Sequence, residues 1–325
     1  MDCYGAAMFA IFFDSFELWS PTDHDGLSKN INLLRVCFVS IILGCNYLLQ
    51  VSMLFFIWRY VTLPSVHNVQ NLYQKYHLEM FQDGEFEHTK FKDWDAEPDI
   101  CSIAFSNFWF MYFILCLWWC TMLKDVRLIE RLYRAVKSLG HATKVRDMII
   151  MPSEDEEEGK IKVVKVTTPV RMLVYIFIIL PKFLISCLLL VIGTVWLSAT
   201  DSYADLILNA VALEFVIAID ELIFEGMLPS SIHDKIESTV LYIVDKNITP
   251  ADEASAIVSQ YIRSISYFMI TTVGVYVFMT YGQYIPRIGV LPGYGNDIQC
   301  PGWLDRQTAW VCSAMPWRDD CFPIS

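Results

Sequence analysis

The sequence predicts an all-α polytopic membrane protein with about five transmembrane helices, a small cytoplasmic β-hairpin and a disulfide-stapled outer tail. Three observations predict it. Of the 325 residues, 55% are hydrophobic and only 18% charged, whereas soluble domains carry roughly 25% charged residues. Four stretches are long and apolar enough to cross a bilayer, which takes about 20 residues. The bases are unevenly placed, 11 of the 24 Lys and Arg residues lying between 124 and 171. A formal net charge of −12 speaks against nucleic acid, because phosphate binding needs clustered Lys and Arg. Length and apolar content exclude a disordered chain and a small scaffold held by disulfides alone.

In chain order, residues 1–35 read as a cytoplasmic N-terminal segment. Its apolar stretch Ala6–Phe13 follows Asp2 rather than a basic region, unlike a signal peptide. The first span covers 36–61 and closes on Trp58, Arg59 and Tyr60, residues suited to a headgroup layer. Residues 62–103 form an outer loop with eight acids against Lys75, Lys90 and Lys92. No metal is expected there. His67, His77 and His88 fit no ligand spacing, and in Asp93–Asp99 a proline, Pro98, replaces the glycine of a calcium loop.

The second span is 104–123, followed by a cytoplasmic basic helix and hairpin over 124–171. Val126, Ile129, Leu132, Tyr133, Val136 and Leu139 recur at helical spacing, with Arg127, Arg131, Arg134 and Lys137 interleaved. Such a helix packs on the membrane domain, and residues 124–146 are suited to anionic lipid. Met148–Met151 and Lys160–Val166 flank the acidic run Glu154–Glu158, the pattern of a hairpin with a charged tip.

The third span, 172–199, contains Pro181 and Lys182; an acidic segment, 204–228, spans or re-enters; residues 229–263 form cytoplasmic helices; and 264–284 is the last span. Ser230 or Ser231 caps a helix bearing Ile232, Ile236, Val240 and Ile243, and Thr249–Pro250 starts another. Residues 285–325 form a Cys-containing outer tail, rich in Gly, Pro and Trp, that needs disulfides for a fixed shape.

Basic loops stay in the cytoplasm, which puts the N-terminus and the 124–171 loop inside. If 204–228 crosses, the tail is extracellular or lumenal, in a plasma membrane or an endomembrane. Cysteines favour that arrangement. Cys37, Cys45, Cys116, Cys120 and Cys187 fall in apolar runs, while five spans leave Cys101, Cys300, Cys312 and Cys321 together outside as disulfide candidates.

The acidic segment is the informative one. At 100° per residue, Glu214, Glu221 and Glu225 fall within about 40° of one another, and Asp205, Asn209 and Asp220 form a second stripe. About a dozen Leu, Ile, Val and Phe residues give roughly −6 kcal/mol on an insertion scale where each central acid costs about 2.5–3.5 kcal/mol. The helix needs partners, protonation or water. Lys182 in the preceding span lies at the depth of Asp220 and Glu221, so it is the expected intramembrane ion-pair partner. Pro181 also frees the carbonyl of Phe177 for a water or a cation.

The acids then have two roles open to them. As an ion pathway, Glu214, Asp220, Glu221 and Glu225 face a wet cavity and move protons or cations, with Glu214 central. Alternatively the chain is a structural or assembly subunit of a membrane complex, and the same charges fix helix packing. No enzyme is expected, for the sequence holds no Walker loop, no Gly-rich dinucleotide turn, no His-Glu-x-x-His and no Gly-x-Ser-x-Gly. No cofactor is expected. The expected partners are the bilayer and further copies of the chain or other subunits of a complex.

Overall fold

The computed structural model describes residues 3–9, 26–82, 85–86, 90–91, 93–103, 108–143, 149–150, 161–163, 165–230, 232, 239–241, 250–281 and 300. Its helices are α1 (Cys3–Phe9), α2 (Gly26–Phe56), α3 (Leu63–Met80), α4 (Glu97–Ser102), α5 (Phe108–Ser138), α6 (Thr168–Val174), α7 (Leu180–Ser198), α8 (Tyr203–Ile217), α9 (Ile219–Met227) and α10 (Pro250–Tyr281). Among the described residues four helical stretches are long and apolar enough to cross a membrane: Asn30–Met80, Phe108–Ser138, Thr168–Ser198 and Ala254–Thr280.

These stretches outrun the apolar segments read from sequence. Residues 63–80, expected in an outer loop, continue the first helix. The second span and the basic amphipathic segment are one helix, α5. Helical hydrogen bonding does not stop where hydropathy falls, because a polar turn keeps the same backbone ladder.

Two helices contain π-helical turns, Ile57–Thr62 and Tyr175–Ile179. Each lies shortly before a proline, Pro64 or Pro181, whose missing N–H leaves the carbonyl four residues earlier unpaired. At Pro181 that carbonyl belongs to Phe177, and the Tyr47 hydroxyl donates to it. A side chain of α2 therefore takes the position expected for a water or a cation.

The acidic segment is not one helix. It breaks at Ala218 into α8 and α9, and neither piece reaches spanning length alone. Ala218 keeps near-helical angles, φ −77° and ψ −3°, so the interruption shifts the pattern little.

The strands are short. Gly140–His141 (β3) pairs in parallel with Lys165–Val166 (β6). Ile149–Ile150 (β4) pairs antiparallel with Ile161–Val163 (β5), and β5 pairs in parallel with Thr239–Leu241 (β7). The β7 strand replaces part of the helix expected after Pro229. Thr239 and Val240 are β-branched and fit a sheet edge better than a helix. Phe81–Gln82 (β1) and Glu85–Phe86 (β2) pair antiparallel. The acidic run Glu154–Glu158, Thr249, and Cys312 and Cys321 lie outside the described residues.

The chain divides into two compact units and passes between them five times. The first comprises residues 1–55, 120–190 and 213–268. Its core gathers Tyr4 and Ala7 of α1, Val39 and Ile42 of α2, Val136 of α5, Ile178, and Ile223 and Phe224 of α9. Val136 and Ile178 are fully buried. At its edge Glu130 bonds the Tyr267 hydroxyl and pairs with Arg134 and Arg263, fastening α10 to α5.

The second unit comprises 56–119, 191–212 and 269–325. Val66, Val195 and Ala199 are buried together beneath Trp58. Tyr76, Phe91 and Trp94 form an aromatic cluster with ring centroids about 6 Å apart, and the Trp94 indole donates to Glu79 at 2.5 Å. The Trp119 indole donates to Thr194 at 3.1 Å, and a Cβ at Gly274 would lie 2.7 Å from its ring. Glycine is thus what lets α10 approach α5 so closely. Cys101 and Cys300 are joined by a disulfide with Cα atoms 5.3 Å apart.

Candidate functional site: a buried ammonium between carboxylates

The site lies in the first unit and starts from Lys182, the residue after Pro181 on α7. A lysine in so apolar a helix must find counter-charge or neutralise. Its Nζ lies 3.4 Å from Asp220 Oδ2 and 3.8 Å from Asp125 Oδ1. Lys182 and Asp220 are 7% and 6% exposed, so water screens the pair poorly. At 3.4 Å the attraction is about 5 kcal/mol for an effective dielectric of 20, offset by several kcal/mol of desolvation per ion. The pair gains little net stability, but removing one member strands a buried charge.

Neutral groups complete the cluster. Ser186, one turn along α7, donates to Asp125. Tyr4 of α1 lays its ring 4.3 Å from the ammonium and donates its hydroxyl to Gln50 Oε1 at 2.9 Å. Lys182 therefore faces two carboxylates and one aromatic ring. Asp220 sits in the first turn of α9, where the helix dipole favours a carboxylate.

A cavity of about 90 Å³ opens beside the cluster, lined by Lys124, Asp125, Lys182, Glu214, Asp220 and Glu221 among others. It has room for several waters. Its lining carries four carboxylates and two ammonium groups, an excess of two negative charges. A smaller space of about 20 Å³ adjoins Tyr4, Gln50, Asp125, Lys182, Ser186 and Asp220.

The structure separates the sequence candidates by burial. Asp220 is buried against Lys182, whereas Glu214, Glu221 and Glu225 are all exposed. Glu214 and Glu221 line the cavity and Glu225 does not. Glu214 makes no ion pair or side-chain hydrogen bond among the described residues. Glu221 likewise pairs with no base there, so Asp220 rather than Glu221 meets Lys182. Among the described residues no three His, Cys, Asp or Glu side chains gather as a metal site.

Sequence reasoning missed Asp125, Ser186, Gln50 and Tyr4. Asp125 carried a readable signal: it shares a helical face with the buried Met122 and Ile129, which an acid occupies only with a partner. Gln50 likewise follows Val39, Ile42 and Asn46 along the buried stripe of α2. Tyr4 carried none, because its contact joins residues 46 apart in sequence.

No family model, no curated protein and no solved structure matches the chain.

Proposed function

We propose that this chain is a multi-pass membrane protein that moves protons or small cations past the Lys182 cluster, with Glu214 as the central site. The observation that carries the reading is the imbalance of charge. Asp125 and Asp220 already answer Lys182, and Glu214 makes no ion pair among the described residues in a cavity whose lining carries two more carboxylates than ammonium groups. A carboxylate at that depth costs about 2.5–3.5 kcal/mol unless it meets water, a proton or a cation.

Two features support five crossings, with 204–228 as the fourth. The Cys101–Cys300 disulfide requires both residues on one side of the bilayer. Three spanning helices separate them in sequence, α5, α6–α7 and α10, and an odd number would leave the cysteines on opposite sides. A fourth crossing through α8 and α9 restores the parity. The second feature is the apolar content of that segment, about a dozen Leu, Ile, Val and Phe residues. With the 124–171 bases inside, the disulfide then belongs to the outer, oxidising compartment.

Glu214→Gln, which keeps size and removes charge, is the test. In reconstituted vesicles the variant should lose at least tenfold of the proton or cation flux at normal protein levels. Undiminished flux overturns the pathway. The burial of Lys182 between two carboxylates favours a second reading, an assembly subunit whose charges fix helix packing. In that case Glu214→Gln is silent, no flux above empty vesicles is found, and Lys182→Met abolishes complex formation.

A further inference from the structure

The route proposed above runs through the Lys182 cluster, and α1 is seated on that cluster. We propose that α1 is a plug: Tyr4 occupies the inner end of the polar cavity, and the cavity opens when α1 withdraws. The proposal rests on the pathway reading for its consequence but not for its geometry.

Tyr4 is 2% exposed. Its ring lies 4.3 Å from the Lys182 ammonium and its hydroxyl donates to Gln50 at 2.9 Å. Around it α1 packs against α9 and the π-helical turn Tyr175–Ile179, the elements just before Lys182 and around Asp220. Lys182, Asp125, Asp220 and Ile217 line both the 90 Å³ cavity and the 20 Å³ space beside Tyr4. The smaller space holds about one water, and the phenol ring takes up what would otherwise extend the larger one toward Gln50.

The chemistry of the seat suits a removable element. The ring offsets the Lys182 charge through its quadrupole without consuming either carboxylate, so withdrawal leaves the Lys182–Asp220 and Lys182–Asp125 pairs in place.

The test reads access, not flux. Leu189 lines the inner space and is buried, so a Leu189→Cys chain reports entry of a positively charged methanethiosulfonate reagent, measured against the same chain without that cysteine. Tyr4→Phe keeps the ring and loses the bond to Gln50, and modification at position 189 should speed up about two- to tenfold. Tyr4→Ala should speed it further. Equal rates in Tyr4, Tyr4→Phe and Tyr4→Ala chains overturn the plug. If Tyr4→Ala does not accumulate, Tyr4→Phe decides alone, and an unchanged rate there overturns it. Faster modification without flux would remove the pathway and leave the plug. Unchanged modification together with flux that Glu214→Gln abolishes would do the reverse.

Discussion

In one unit a buried lysine meets two aspartates, one of them bonded by a serine, and an aromatic ring; in the other, a disulfide and an aromatic cluster hold the chain. Lys182, Asp125, Asp220, Ser186, Gln50 and Tyr4 are polar groups drawn from five helices, each satisfied by another. The second unit relies on Cys101–Cys300, on Tyr76, Phe91 and Trp94, and on a neutral bond from Trp119 to Thr194. Buried charge is unforgiving, because its cost appears when one partner leaves. Apolar packing degrades by degrees, since each lost contact is small. The first unit is thus held by buried charge and the second by a covalent bond and apolar packing.

The largest expected effect breaks the first unit. Lys182→Met takes the ammonium away from buried Asp220 and half-buried Asp125 and should destabilise the protein by about 3–5 kcal/mol. Lys182→Met with Asp220→Asn should recover part of that loss, as thermal unfolding in detergent would read. Strictly additive losses would mean the pair is not coupled.

Next comes the second unit. Cys300→Ser opens the bond to Cys101 and should cost about 2–4 kcal/mol, expressed as faster proteolysis of the second unit while Leu189→Cys access is unchanged. Equal proteolysis of both units would erase the distinction drawn between them.

The smallest effect is a matter of pH. Asp201, between α7 and α8, has its carboxyl pushed above the ordinary carboxylate range, mainly by burial and further by the Asp205 carboxylate. A raised folded-state value makes ionisation unfavourable, so the stabilising contribution holds at low pH and is lost as pH rises through that value. Asp201→Asn should therefore unfold at a slightly higher temperature at pH 7, with the gap closing toward pH 4. A gap that widens on acidification would contradict the assignment.

Much of this architecture was legible in the sequence because bilayer length and helical period are local properties. The apolar runs, the amphipathic face of α5 and the carboxylates of 204–228 were visible as written. The helix break at Ala218 was not, since no proline or glycine marks it. Nor was the strand at Thr239–Leu241, whose pairing depends on β5, far away in sequence. At the site, Lys182 and Asp220 stood out as charges inside apolar runs. Asp125 hid behind Lys124, where hydropathy falls and a charge looks unremarkable. Tyr4 and Gln50 are ordinary residues made significant only by tertiary neighbours.

The Cys101–Cys300 bond has a consequence for biosynthesis. Cys300 follows every described helix, and the two cysteines are 199 residues apart. The ring they close can be sealed only after α5, α7, α8, α9 and α10 have all left the ribosome, and only if the number of crossings made between them is even. On the five-crossing reading, a chain that failed to insert its acidic segment would present its two thiols to different compartments, and the bond would mark correctly threaded molecules.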